Sequence, residues 1–489
     1  MAAEALTTGE SPSDTIYAPA TAAGRAAIAI VRMSGPASGP ALAALVGKLP
    51  PPRVAAHARL RDPASGEELD DALTLWFPGP RSITGEDVAE LHLHGSRAVI
   101  AAVMAALGAQ GLRLAEPGEF TRRAFLNGKL DLTQAEAVAD LAAAETEAQR
   151  RQALRQLDGR LGELYSGWAE RLLRLLAHLE AVIDFPDEDL PPGIEAEIAA
   201  DSAGLAAEIT QHLADGHRGE RLRDGIAVAI IGPPNAGKSS LLNQLARREA
   251  AITSPVAGTT RDVIEVAIDL AGYPVIVADT AGLRDSADVV EQEGLRRALA
   301  RADAAELRLF VFDARHPEDA AGAAQWPGRD TICVANKIDL LGSPINPSPA
   351  SRERGDRPRQ RSVGEGTEID AACRPLTPPL SPDGGEGATI ADPIRVSALT
   401  GEGISELVAA LAARIAETYD IAAPLLTRAR HREALETAAE ALTRSLAALL
   451  PELRAEDLRL AWRSLGRITG RVDVEDLLDV VFRDFCLGK

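Results

Sequence analysis

Gly232-Pro233-Pro234-Asn235-Ala236-Gly237-Lys238-Ser239 decides the fold. The stretch fits G-x-x-x-x-G-K-[ST]. It stands between the apolar run Ile226-Ala227-Val228-Ala229-Ile230-Ile231 and the helix-forming run Ser240-Leu241-Leu242-Asn243-Gln244-Leu245. A run that is apolar at every position reads as a strand buried on both faces of a parallel sheet. Phosphates need this strand, loop and helix order. The glycines let backbone N–H groups close around the oxygens, and the helix start at Ser240 adds its positive end. Lys238 neutralises charge on the β- and γ-phosphates, and the Ser239 hydroxyl suits Mg²⁺.

Working outward, Val275–Ala278, Leu309–Phe312, Ile332–Ala335 and Ile394–Val396 repeat the buried-strand signature, with helical stretches between them. That pattern predicts a doubly wound α/β domain over about 222–417. Three short motifs sit at strand ends. Asp279-Thr280-Ala281-Gly282 can hold the Mg²⁺ shell through Asp279 and meet the γ-phosphate with the Gly282 N–H. In Asn336-Lys337-Ile338-Asp339, the Asp339 carboxylate matches the paired N–H donors of guanine and rejects adenine. Ser397-Ala398-Leu399 can supply a backbone N–H to the base. In this order, the motifs predict a GTPase.

Leu283, not Gln, follows the Asp279–Gly282 motif, and the P-loop offers no arginine finger. Something else must orient water and offset charge in the transition state. Asn235 beside the phosphates is either a turn former or a ligand for a monovalent cation. The segment Ser254-Pro255-Val256-Ala257-Gly258-Thr259-Thr260 can supply carbonyls to such an ion, and Thr260 can reach Mg²⁺. Of the acids Asp285, Asp288, Glu291 and Glu293, most read as solvated and one can orient water.

The flanks differ in kind. The first segment, 1–127, mixes β-rich runs (Ile28–Val31, Ala72–Phe77, Val88–His94) with a helix-forming stretch, Ala98–Leu107, and reads as a small α/β domain. From 128 to 221 the composition turns helical, with a long helix expected over Asp131–Gln156 and another over Leu161–Val182. Residues 418–489 are helical again, so one discontinuous helical bundle with the α/β domain inserted is expected. Within that domain, 342–393 is rich in Pro, Gly, Ser and Arg and reads as a disordered insertion.

Composition excludes several classes. Fifty-two basic against 72 acidic residues give a net charge of -20, which repels bare nucleic acid and anionic membrane at long range. Any RNA contact is therefore local or shared with a more basic partner. Aromatics at 3% argue against broad base-stacking platforms. Cys333, Cys373 and Cys486 are too scattered for a disulfide framework or a zinc site, which fits a reducing, cytoplasmic setting. No stretch approaches the roughly 18 apolar residues of a membrane span.

Beyond the nucleotide motifs, Gly85-Glu86-Asp87-Val88, the stretch Pro117-Gly118-Glu119-Phe120-Thr121-Arg122-Arg123-Ala124-Phe125-Leu126-Asn127-Gly128-Lys129-Leu130-Asp131-Leu132 and the tail Cys486-Leu487-Gly488-Lys489 resemble the MnmE (TrmE) family of tRNA-modification GTPases. The resemblance covers nearly the whole chain. It implies a homodimer joined through N-terminal domains that take a tetrahydrofolate, 5-formyl or 5,10-methylene, at Arg32, Glu90 and Lys129, with Lys489 nearby. It implies K⁺ on Asn235, Ser254, Val256 and Thr259, Mg²⁺ on Ser239 and Thr260, and Glu291 as the water-orienting acid. It also implies a heterotetramer with the FAD- and NADH-using protein MnmG. Together the two proteins add a carboxymethylaminomethyl or aminomethyl group at C5 of the wobble uridine of certain tRNAs. Cys486, by default a small buried hydrophobe, is invoked in that chemistry. Arg150, Arg151, Arg155 and Arg160 read as a solvated face or as tRNA contacts. Leu487, where Ile is usual, and the long insertion depart from the family's form. The alternative is a regulatory RNA- or ribosome-binding switch without one-carbon chemistry.

Overall fold

The computed structural model describes residues 14–185, 193–249, 265–279, 303–326, 330–341, 392–419, 425–472, 478, 481–482, 485–486 and 488. Two units divide the chain. One joins Met1–Arg223 to Ala422–Lys489, and the other is Asp224–Ile421.

The first unit opens with β1 (Ile16–Pro19), β2 (Ile28–Ser34), α1 (Ser38–Val46), β3 (Ala56–Arg61), β4 (Glu68–Phe77), β5 (Val88–His94), α2 (Arg97–Ala109), β6 (Arg113–Leu114) and α3 (Glu119–Leu126). The strands form one sheet in the order β3-β4-β5-β2-β1-β6, antiparallel except where β1 meets β6. Alternation along each strand sorts its two faces. Val31, Met33, Ala89, Leu91 and Leu93 pack with Leu42 and Leu45 of α1 and Val103 and Leu107 of α2. The other face carries Ile28, Arg32, Glu90, His92 and Leu73, and Ile28 and Leu73 stay exposed.

Next come α4 (Leu132–Ala143), α5 (Glu147–Leu157), α6 (Arg160–Asp184), α7 (Ile194–Leu213) and α8 (Arg218–Asp224). The helix expected over Asp131–Gln156 is in fact two. Ala144 turns extended, and Asp131 with Gln134 and Thr146 with Gln149 each form a complete capping box that starts a separate helix.

The second unit holds β7 (Ile226–Ile231), α9 (Lys238–Arg248), β8 (Glu265–Leu270), β9 (Tyr273–Asp279), β10 (Leu307–Asp313), β11 (Asp330–Asn336), β12 (Ile394–Arg395) and α10 (Ile404–Tyr419). Its sheet runs β12-β11-β10-β7-β9-β8, parallel throughout except for β8, which pairs antiparallel with β9. The sequence reading lacked β8. Its neighbours carry the continuous apolar runs expected of strands covered on both faces, and every residue of β10 is buried. Nearly all of the expected disordered insertion, 342–391, lies outside the described residues.

The chain then re-enters the first unit as α11 (Ala429–Ala447) and α12 (Pro451–Thr469). Leu161, Leu172 and Leu179 of α6, Leu205 and Ile209 of α7, Leu435 and Leu442 of α11, and Leu458 and Leu465 of α12 share one core. The helical blocks on either side of the second unit therefore fold together. Beyond 472 only isolated residues are described, and among them Leu478, Phe482 and Phe485 pack on Leu132 and Ala135 of α4. Among the described residues no helix is long and apolar enough to cross a membrane.

Candidate nucleotide-binding site

The loop between β7 and α9 is built on backbone that only certain residues tolerate. Gly232 has φ of 136°, and a Cβ there would collide with the Val311 carbonyl of β10. Gly237 has φ of 93°, and a Cβ would collide with the Asn336 amide. Asn235 sits between them at φ 61°, a left-handed conformation that Asn accepts more readily than most residues. Lys238, Nζ to the Gly232 and Pro233 carbonyls at 2.9 and 2.8 Å, folds its ammonium back over the loop. Asn235, Ser239 and Ser240 are exposed, while Ala236 is buried. The loop thus offers an exposed amide and an exposed hydroxyl at a helix N-terminus, groups that suit phosphate and a hard cation.

The loop after β11 grips the phosphate loop. Asn336, 1% exposed, donates from Nδ2 to the Ala236 carbonyl at 2.8 Å, and its Oδ1 accepts the Ala398 N–H at 3.0 Å. Lys337, at φ 64°, donates from Nζ to the Asn235 carbonyl at 2.5 Å. Three separated stretches are therefore held as one body by two adjacent side chains. Asp339 is positioned by Ser397, whose Oγ donates to Asp339 Oδ1 at 2.6 Å. The expectation from the sequence is that the Ser397-Ala398-Leu399 stretch supplies a backbone N–H to the base. In the structure the Ser397 N–H bonds the Glu402 carbonyl and the Ala398 N–H bonds Asn336. Leu399 stands 83% exposed at the tip of that turn.

One residue of this site had no sequence signal. Asp313 ends β10 and lies opposite Asn336 in the parallel register. It accepts from Lys337 Nζ at 3.0 Å and from Arg315 Nε and Nη2 at 3.0 and 2.7 Å. The Arg315 hydrogen bonds and Lys337 beside it hold its carboxyl well below the usual carboxylate range. An acid closing an apolar run looks like ordinary strand punctuation, so only register reveals the contact.

Other expected site residues fall outside the described set: Ser254 through Thr260, Thr280, Ala281, Gly282, Glu291 and Lys489, with Asp285, Asp288 and Glu293. Asp279 is described only as the last residue of β9.

In the N-terminal sheet, Arg32 and Glu90 stand opposite each other on β2 and β5 and pair at 2.9 Å. The Arg32 guanidinium lies 5.8 Å from the Phe120 ring, and His92 Nε2 is 3.4 Å from the other Glu90 oxygen. Lys129 is exposed beside the Gly85 turn. Many of the residues that carry the family resemblance hold this domain together. Glu86 accepts from Ser34 Oγ at 2.7 Å and from buried Arg123 at 3.2 Å, and Arg123 also reaches Glu119 and Asp14. Burial alone would raise the Glu119 carboxyl, but Arg113 and Arg123 bring it below its ordinary value. The C-terminal tail packs here too. The Gly118 N–H bonds the Cys486 carbonyl at 3.4 Å, and a Cβ on Gly488 would collide with the Pro19 carbonyl of β1. Cys486 itself is exposed, which removes the reading of it as a buried hydrophobe. Cys333 is buried, and burial pushes its thiol up.

A parallel sheet whose phosphate loop is bolted to an Asn-Lys-x-Asp loop defines a P-loop GTP hydrolase. The comparisons with known proteins then narrow the class. The model of the MnmE helical domain matches residues 132–486, and that of the GTP-binding protein TrmE N-terminus matches 15–129. The tRNA modification GTPase MnmE of Rhodospirillum rubrum is 54% identical, covering 97% of this chain and 99% of its own. That of Paramagnetospirillum magneticum is 56% identical, covering 98% and 100%. Among solved structures, Era of Aquifex aeolicus with GDP and aluminium fluoride is 25% identical, covers 46% of this chain and 69% of its own, and has a TM-score of 0.27, too low to carry an argument. The chain belongs to the MnmE family of tRNA modification GTPases.

Proposed function

We propose that the chain is a K⁺-stimulated GTPase acting in the cytoplasm. With the FAD-dependent partner MnmG and a tetrahydrofolate one-carbon donor, it adds a carboxymethylaminomethyl or aminomethyl group to C5 of the wobble uridine of certain tRNAs. Asn235 is the observation that carries the cation part. Its carbonyl is pinned by Lys337 and its side chain is exposed on the loop that wraps the phosphates. A neutral amide oxygen there suits a monovalent cation, and the exposed Ser239 hydroxyl at the start of α9 suits Mg²⁺. K⁺ bound at Asn235, with Ser254, Val256 and Thr259, supplies the positive charge that a P-loop without an arginine finger lacks. Thr260 joins Ser239 on Mg²⁺, Glu291 orients the attacking water, and Lys238 neutralises phosphate charge.

GTP turnover is expected to be on the order of 10- to 100-fold faster in K⁺ than in Na⁺. Asn235→Ala should erase that difference while GDP binding persists. Equal rates in the two salts for the unaltered protein would remove the cation from the reading.

The second half of the proposal places the folate at Arg32, Glu90 and Lys129, with Lys489. A carboxylate suits the adjacent N–H donors of a pterin, and cations suit its glutamate tail. Ile28 and Leu73 stay exposed on this sheet face, apolar area that a second copy of the chain would cover. Docking of the tail beside Gly118 and β1 supports a role for the exposed Cys486 thiol in the same chemistry. Cys486→Ser should abolish wobble-uridine modification, read by nucleoside analysis of tRNA from complemented cells, with GTP hydrolysis within about twofold of normal. Intact modified nucleoside in that variant would take Cys486 out of the mechanism.

A further inference from the structure

Lys337 serves two loops from a left-handed backbone, and something has to hold its long side chain. The Asn235 carbonyl takes one of its protons. The Asp313 carboxylate takes another, at 3.0 Å from a side chain 9% exposed. Asp313 is in turn fixed by the backbone N–H of Arg315 at 3.0 Å, so it cannot swing away, and the Arg315 side chain pairs with the same carboxylate. Lysine carries a flexible four-carbon stem that loses much freedom when immobilised. With one anchor the stem can rotate about the Asn235 contact. With two, its path from β11 to the phosphate loop is set before nucleotide arrives. Arg315 also lies within electrostatic reach of Asp339, the carboxylate assigned to the base.

We infer that Asp313 is a positioning residue for guanine-nucleotide binding that acts through Lys337. Its role is indirect, with neither base nor phosphate as its partner. It sets the Lys337 side chain, and through it the Asn235 carbonyl, in the arrangement the nucleotide meets. The competing view is that Asp313 only ties down its own turn, in which case its partnership with Arg315 would be the part that matters.

The experiment measures the Kd of the full chain for a fluorescent GDP analogue, beside thermal unfolding. Asp313→Asn should raise Kd about tenfold, with an unchanged unfolding temperature. Arg315→Gln should leave Kd within twofold. In a Lys337→Met background, which keeps the stem and removes the ammonium, Asp313→Asn should add nothing. If Asp313→Asn does not yield folded protein, Asp313→Ser, which keeps an acceptor for the Arg315 N–H, is measured in its place. Additive losses with Lys337→Met, or a Kd for Arg315→Gln raised as much as for Asp313→Asn, would overturn the inference. So would an unchanged Kd in Asp313→Asn.

Discussion

Replacing Asp339 by Asn is expected to reverse the base preference of the enzyme. Its kcat/KM for GTP should fall by on the order of 10³ to 10⁴, and xanthosine triphosphate should become the better substrate. The cause is donor and acceptor matching. A guanine edge offers N1–H and an exocyclic NH₂, both donors, and an ionised carboxylate only accepts. Ser397, fully buried, donates its hydroxyl proton to Asp339 Oδ1. An asparagine at 339 would keep its carbonyl oxygen on that hydroxyl and turn its NH₂ to the base. Donor then meets donor for guanine, whereas xanthine carries a carbonyl at C2 that the amide can serve. Ser397→Ala should free the amide to flip and so shrink the reversal. Steady-state turnover of both triphosphates by the unaltered chain, D339N and the double variant checks this. A D339N protein that still prefers GTP would mean that Asp339 does not read the base.

The contrast between Asp339 and Asp313 shows what a sequence can display. The phosphate loop and the Asn336–Asp339 motif are legible because their demands are local. Glycines permit a turn, a lysine and a hydroxyl follow at fixed spacing, and each motif sits where an apolar run ends. Asp313 also ends such a run, yet its partner is set by the pairing of β10 with β11, which no spacing records. The break between α4 and α5 is a different case. It has neither Pro nor Gly, and the Ala- and Glu-rich composition on both sides favours helix. The Thr146 and Gln149 capping box was the available signal. Strand β8 escaped because it lies at the sheet edge, where a mixed rather than continuous apolar pattern is enough. In the N-terminal domain, Arg32 and Glu90 could be placed only by family resemblance, since isolated charges carry no pattern. The structure adds that they face each other across β2 and β5.

The largest stability effect is expected at a residue the sequence left silent. Glu136 of α4, its side chain 2% exposed, accepts from His431 Nε2 at 2.9 Å and Arg430 Nε at 2.6 Å, both on α11 and 294 to 295 residues further along the chain. One turn on, Asp140 accepts from Arg428 at 2.6 Å and Arg223 at 3.0 Å. These bonds join the two sequence-distant parts of the helical layer. Burial alone would push the Glu136 carboxyl up, but His431 and Arg430 hold it well below the usual carboxylate range. Burial drives His431 down, against the pull of Glu136. Its Nδ1 has no hydrogen-bond partner among the described residues, which fits a neutral ring carrying its proton on Nε2. Glu136→Ala removes the acceptor and leaves Arg430 and His431 against each other, at a cost on the order of 3 to 5 kcal/mol. Glu136→Gln keeps an acceptor oxygen and should cost roughly 1 to 3 kcal/mol. The pH dependence has a definite sign. Both groups titrate lower in the folded chain than in the unfolded one, so the unfolded chain binds more protons and acid destabilises. The loss starts below about pH 6.5 through His431 and deepens below about pH 4.3 through Glu136. His431→Gln should flatten the upper part of that profile and leave the lower part in place. Native-state hydrogen exchange of the α11 amides reads the local stability without requiring the two units to unfold together. Protection in α11 that is indifferent both to Glu136→Ala and to a drop from pH 7 to about pH 5 would show that this buried pair does not hold the two segments together.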